Sequence, residues 1–168
     1  MKLDDDDLNH SVTVPEGGGD GMLVTAGGRW GGFGLYIVKG HPVFDYNMLI
    51  LAQYHWEGKD ALSAGKHTIV FDYTCDGPGI AKGGTGVLKV DGQVVDTEKQ
   101  PNSIAFLQVM DETFDIGVDT RTSVNEKDYH VPFPFTGTIN NLTFTLGPMQ
   151  LSAADQEKIA RAKTISVD

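Results

Sequence analysis

Cysteine is nearly absent from this chain. Cys75 is the only one in 168 residues. That excludes a disulfide within the chain, so stability must come from packing. Positive charge is scarce as well. Thirteen Lys and Arg stand against 23 Asp and Glu, for a formal net charge of −10. Each contact to a nucleic-acid phosphate needs a Lys or Arg, and the few here are scattered, so no nucleic-acid partner is expected. The same sign disfavours anionic membrane surfaces, and no membrane partner is expected. No apolar run approaches the roughly 18 residues of a transmembrane helix. The N-terminus runs Met1-Lys2-Leu3 and then Asp4 to Asp7, which is no signal peptide. The expectation is a soluble chain whose compartment stays open. The five histidines (His10, His41, His55, His67, His130) lack zinc-type spacing. Lys82-Gly83-Gly84-Thr85 precedes a strand pattern, whereas phosphate cradles open a helix.

Glycine is plentiful, with 21 residues alongside 7 prolines, which suits an all-β chain with many turns. One glycine-spaced aromatic run dominates: Gly27-Gly28-Arg29-Trp30-Gly31-Gly32-Phe33-Gly34-Leu35-Tyr36. His41-Pro42-Val43-Phe44-Asp45-Tyr46-Asn47 reads as the returning arm of a hairpin. Glycine in a strand lets a ring or another backbone come close. The rings themselves serve core packing, with a ligand-stacking platform as the alternative.

Period-2 alternation predicts strands over 8–14, 22–26, 32–38, 42–49, 51–56, 66–73, 87–90, 93–96, 104–107, 113–117 and 135–146. Lys39-Gly40 and Asp91-Gly92 are two-residue hairpin turns. Such turn spacing predicts an antiparallel β-sandwich of jelly-roll, concanavalin A or lectin-like kind. The tail differs. Residues 151–163 read as a short C-terminal α-helix, with Ser152 as N-cap and Asp155 completing a capping box. The chain therefore divides into an acidic linker or boundary (1–7), a sandwich module (8–147) and a helical tail (148–168).

Little in the sequence supports catalysis. His67 lies eight residues before Cys75 on one predicted strand, about 26 Å away if extended, so it does not activate that thiol. Asp115 and Asp119 share parity around Gly117, but an extended backbone holds their Cα atoms about 13 Å apart. That is too far for the carboxyl pair of a retaining glycosidase, which needs roughly 5–5.5 Å. The same two aspartates, as the chain turns past Thr120, are the residues to offer oxygens to a Ca²⁺ ion. Aspartates capping turns through their own backbone are the simpler account. No cofactor is required by this reading.

Five segments occur in order: Gly27-Gly28-Arg29-Trp30-Gly31-Gly32-Phe33; Gly65-Lys66-His67-Thr68-Ile69; Lys82-Gly83-Gly84-Thr85-Gly86 with Val90-Asp91-Gly92; Asp111-Glu112-Thr113-Phe114-Asp115-Ile116-Gly117; and Phe135-Thr136-Gly137-Thr138-Ile139. Together they resemble the C-terminal module of bacterial arylsulfatases. The resemblance implies a concanavalin A-like sandwich that follows a catalytic domain carrying the nucleophile and a calcium site. The sulfatase signature, Cys or Ser with Pro two residues on and Arg four on, is not met by Cys75-Asp76-Gly77-Pro78-Gly79. No catalytic residue carries over, and the chain by itself is expected to be no enzyme. Pro78 also departs from a loop that is richer in glycine in the family. The expected role is a non-catalytic accessory domain that packs on a sulfatase catalytic domain or on its own copy. The alternative is a lectin-like carbohydrate-binding module, in which exposed Trp30, Tyr46, Tyr54 or Trp56 stack on sugar rings.

Overall fold

A computed structural model describes residues 6–104, 112–147 and 151–165. The elements follow in chain order as β1 (Asp6–Val14), β2 (Gly21–Gly28), β3 (Gly31–Val38), β4 (His41–Met48), β5 (Ala52–Glu57), β6 (Gly65–Cys75), β7 (Lys82–Val90), β8 (Gln93–Asn102), β9 (Phe114–Ile116), β10 (Thr138–Thr145) and α1 (Ala153–Ile165). They form two five-stranded sheets, ordered β10-β1-β6-β7-β8 and β5-β4-β3-β2-β9. Among the described residues these strands all pair antiparallel. The expected sandwich with one C-terminal helix is what the chain forms.

The hairpin turns follow from local chemistry. Lys39 (φ 52°) with Gly40 (φ 82°), and Asp91 (φ 50°) with Gly92 (φ 80°), adopt the left-handed geometry that two-residue hairpins demand. The β4–β5 turn breaks that sequence rule. Leu51 N donates to Met48 O at 2.9 Å, and the two corner positions are Leu49 (φ 54°) and Ile50 (φ 64°). A β-branched residue there is strained. Asn47 Oδ1 accepts Ile50 N at 2.9 Å and holds the corner in place.

Glycine explains where two strands outrun their expected ends. β7 begins at Lys82 and runs through the glycine cluster, whereas the alternation places its start at Val87. At Gly86 a Cβ would lie 2.6 Å from Phe71 Cζ and 2.7 Å from the Trp56 ring, so only glycine admits those rings to the strand. β2 likewise extends to Gly28, pairing Gly27 with Gly32 and Gly28 with Gly31, so Arg29-Trp30 becomes the hairpin tip. The run read as one aromatic feature is thus split by a turn.

β8 also extends, to Asn102. β9 and β10 are shorter than the alternation predicts. Of the strand expected over 104–107, residues 105–107 lie outside the described residues, as do Asp4, Asp5, Asp111 and Pro148. The helix cap forms as expected: Asp155 N donates to Ser152 Oγ at 3.1 Å, and Ser152 Oγ donates to Asp155 Oδ2 at 2.7 Å.

Two cores result. The larger lies between the sheets and contains Val12, Leu35, Ile37, Phe44, Trp56, Ile69, Phe71 and Leu88 among others. Its centre is aromatic, with Phe44 and Phe71 stacked across the sheets at 3.5 Å between centroids. The smaller lies on the far side of the second sheet, where Met22, Tyr36 and Val43 meet Tyr129. Residues 118–134, which contain no strand, cover that outer face. The alternation pattern assigns this segment no role.

Candidate functional site

Alternation decides which side chains reach that outer face. Inward on β4 and β5 go Phe44, Tyr46, Tyr54 and Trp56, which pack in or against the inter-sheet core. Outward therefore go Asp45 and Asn47, with Gln53, His55 and Glu57. The β4–β5 register pairs Asp45 with His55, Asn47 with Gln53 and Val43 with Glu57. Tyr36 of β3 joins them, and the 118–134 segment lays Asn125 and Asp128 over the top.

Asp45 is the centre of this arrangement and is 0% exposed. Its Oδ2 accepts from His55 Nδ1 at 2.8 Å and from Asn125 Nδ2 at 2.9 Å, while Oδ1 accepts from Gln53 Nε2. A buried carboxylate needs such donors, because transfer from water without them costs several kcal/mol. Tyr36 OH donates to Asp128 Oδ2 at 2.5 Å. His55 Nδ1 lies 3.8 Å from Asp128 Oδ2, and its Nε2 lies 3.6 Å from Glu57 Oε2. The hydrogen bond to Asp45 raises the His55 pKa, helped by the charges of Asp45, Asp128 and Glu57 and opposed by burial. Tyr36 is pushed far above the ordinary phenol range, first by burial and then by the charges of Asp45 and Asp128.

Further donors fasten the covering segment. Gln53 Nε2 donates to Val124 O at 3.1 Å, and Val124 N donates to Tyr129 OH at 3.0 Å. Asn47 Nδ2 donates to Arg29 O at 2.9 Å and to Val124 O at 3.2 Å, joining the β2–β3 tip to the same segment. The Arg29 guanidinium holds Glu126. The result is a partly open face of fixed polar groups. His55 is 35% exposed and Asp128 21% by side chain, with Gln53 and Glu57 at the rim.

The residues singled out in the sequence scatter around this face. Trp30 is 55% exposed at the β2–β3 tip. Tyr46 and Tyr54 are neighbours, with ring centroids 6.4 Å apart, but both lean on the inter-sheet core. Tyr46 OH accepts Ile104 N at 2.9 Å. Trp56 is fully buried and donates through Nε1 to Gly86 O at 3.0 Å, so neither ring face is open to a sugar. Its inward parity on β5 and the bare Gly86 opposite account for that correction. The four rings do not share one surface.

Asp115 and Asp119 each have protein partners, and Asp119 feels the Asp115 charge. Asp115 Oδ2 accepts from Thr113 Oγ1 at 2.9 Å and Thr120 Oγ1 at 3.4 Å. Asp119 is buried and its Oδ2 accepts from Tyr129 OH at 2.6 Å. Burial raises the Asp119 pKa, helped by the charges of Glu112 and Asp115 and opposed by the hydrogen bonds from Tyr129 and the Arg121 backbone. Both thus anchor the covering segment. Cys75 ends β6 opposite Gly84, and His67 is held by Asp91 Oδ2 at 2.7 Å and Ser63 O at 2.9 Å.

A second feature lies at one end of the sandwich. An apolar cleft of about 270 Å³ opens there, lined by Phe33, Phe44, Tyr46, Phe71 and Tyr73 with Phe144 and Leu146 near the rim.

Sequence reasoning missed the Asp45–His55–Asp128 cluster. The polar alternate residues on 45–47 and 53–57 carry the signal, since Asp45 and His55 each sit between two inward aromatics. Pairing them needs the strand register, and Asp128 arrives from more than 70 residues away.

No protein-family model matches the chain, and no curated protein matches it. Solved structures do. Domains LG4-5 of the mouse laminin α1 chain superpose with TM-score 0.62 at 12% identity, over 86% of this chain and 36% of that one. CBM40 of the Ruminococcus gnavus IT-sialidase, bound to α2,3-sialyllactose, gives 0.58 at 17% identity, over 94% of this chain and 82% of that one. The receptor binding domain of the botulinum neurotoxin C/D mosaic serotype gives 0.54 at 10% identity, over 95% and 36%. The chain thus spans about a third of the laminin and neurotoxin structures and most of CBM40. These likenesses establish a lectin-like β-sandwich. None of the three is a sulfatase, so the arylsulfatase resemblance rests on the five sequence segments.

Proposed function

We propose that this chain is a lectin-like binding module whose ligand is a glycan, held on the outer face of β4 and β5 beneath the 118–134 segment. The observation that carries this reading is the fixed array of Gln53, His55, Glu57 and Asp128, anchored on buried Asp45. Sugar hydroxyls are recognised by few, well-placed planar polar groups, and rigid groups lose little entropy on binding. Trp30 stands exposed at the tip that Asn47 ties to the same segment, where a ring stacks on a sugar face. The overall likeness to CBM40, a sandwich solved with a bound oligosaccharide, supports a glycan as ligand at the level of the fold and not the choice of sugar.

Charge narrows the ligand. Three carboxylates face one imidazole here, so the face suits neutral sugars and repels carboxylated ones. A glycan array carrying neutral and sialylated oligosaccharides tests this. The expected result is retention on neutral glycans, lost in Gln53→Ala and Glu57→Ala. Retention confined to sialylated glycans, or unchanged by both variants, would contradict it.

A second reading keeps the accessory role beside a sulfatase catalytic domain. Its support is an exposed apolar group on β9, β10 and the residue that follows: Phe114, Ile116, Phe144 and Leu146. Phe114 and Phe144 touch one another across the two sheets, with centroids 5.9 Å apart. Such a patch is what a domain contact or self-association would cover. The glycine segments that carry the resemblance to arylsulfatases lie largely at strand edges, turns and ring contacts, so they speak for the scaffold.

A further inference from the structure

We propose that Asp45, His55 and Asp128 form a binding site for a divalent transition-metal cation of the zinc class. The proposal concerns the same face as the glycan reading but needs only the three side chains, and its test reads metal binding rather than glycan retention, so either can fail without the other. Their ligand atoms, one carboxylate oxygen from each aspartate and one imidazole nitrogen, all lie within 4.8 Å of one another. His55 Nδ1 is 2.8 Å from Asp45 Oδ2 and 3.8 Å from Asp128 Oδ2. An ion bonded at about 2.0–2.2 Å holds its ligands about 3 to 4 Å apart, so the cluster is already close to the required spacing.

The surroundings are those a metal site requires. Each ligand is steered by a neighbour that does not itself reach the ion. Gln53 and Asn125 hold the Asp45 carboxylate, and Tyr36 OH holds that of Asp128. The other nitrogen of His55 faces Glu57 Oε2 at 3.6 Å, the carboxylate–imidazole–metal order in which ligating histidines are usually set. The ligands come from β4, β5 and the covering segment, so the ion would tie that segment to the sheet.

Charge and donor type select the ion. Three carboxylates gather around a single imidazole, and a dication offsets their repulsion better than one proton does. An imidazole nitrogen beside two carboxylate oxygens suits zinc-class ions, whereas Ca²⁺ and Mg²⁺ prefer oxygen throughout. Partial exposure of His55 and Asp128 leaves an approach from solvent, with remaining positions open to water. The other His–Asp pair, His67 with Asp91, lacks a third ligand among the described residues and serves as the internal control.

The test uses the full chain without a histidine tag. Zn²⁺ and, separately, Ca²⁺ are titrated by calorimetry, with the thermal midpoint followed in parallel. The expected result is one Zn²⁺ per chain, a midpoint raised by several degrees, and no response to Ca²⁺ at the same concentration. His55→Gln and Asp128→Asn should each weaken Zn²⁺ binding at least tenfold, and His67→Gln should leave it unchanged. Circular dichroism confirms that each variant folds. Should His55→Gln fail to fold, Asp128→Asn decides alone, since Asp128 is partly exposed. Absence of stoichiometric Zn²⁺ binding would overturn the proposal. So would binding that survives both variants, binding lost in His67→Gln, or a preference for Ca²⁺.

Discussion

Replacing His10 with leucine should stabilise the protein and remove part of its acid sensitivity. His10 sits on β1 in step with Leu8, Val12 and Val14, and it is fully buried. Neither ring nitrogen has a hydrogen-bond partner among the described residues. Burial holds its pKa down at about 4, against an ordinary 6.5. The folded chain thus keeps the imidazole neutral, while the unfolded chain takes up a proton below pH 6.5. Stability is complete above that pH and drains as pH falls towards 4. The full interval is worth about 3 kcal/mol, of which about 2.5 kcal/mol is lost by pH 4.5. Leucine fills a similar volume without orphaned polar atoms, each of which costs about 1–3 kcal/mol. Urea denaturation of both proteins at pH 7.5 and 4.5 measures the effect. The variant should lead by about 1–2 kcal/mol at pH 7.5 and by about 4 kcal/mol at pH 4.5. A variant less stable at pH 7.5, or a lead that does not widen in acid, refutes the reasoning.

Other outcomes follow from the packing. Gly86→Ala forces a Cβ against Phe71 and Trp56, both backed by the core, and should cost about 2 to 3 kcal/mol in the same urea assay. Leu49→Asn with Ile50→Gly gives the β4–β5 turn residues suited to its left-handed corner, and should raise stability by about 1–2 kcal/mol. Trp30→Ala should change stability by less than about 0.5 kcal/mol, because the ring is exposed, while lowering glycan affinity on the array. The chain by itself, assayed on a chromogenic aryl sulfate, should release no product. Turnover would return the catalytic question to Cys75 and its neighbours.

The scaffold was readable because its cues are local. The alternation through 66–73, the Lys39-Gly40 and Asp91-Gly92 turns and the Ser152 cap each depend on residues close in sequence. The lectin-like layering follows from those cues together. The site was not readable for the opposite reason. Asp45 and His55 meet only through the β4–β5 register, and Asp128 is delivered by a segment with no periodicity at all. Large rings misled in the same way. Trp56 looks like a stacking surface in one dimension, but its parity turns it inward onto Gly86. Leu49 and Ile50 defeat turn rules that expect Asn or Gly, and they succeed because Asn47 supports the corner.

Amide chemical-shift mapping, with a neutral oligosaccharide retained on the array as titrant, tests the outer face most directly. The account predicts perturbations concentrated at Gln53, His55, Glu57, Asn125 and Asp128, extending to Trp30. Shifts confined to the cleft lined by Phe33, Tyr73 and Phe144, or no shifts at all, would contradict it.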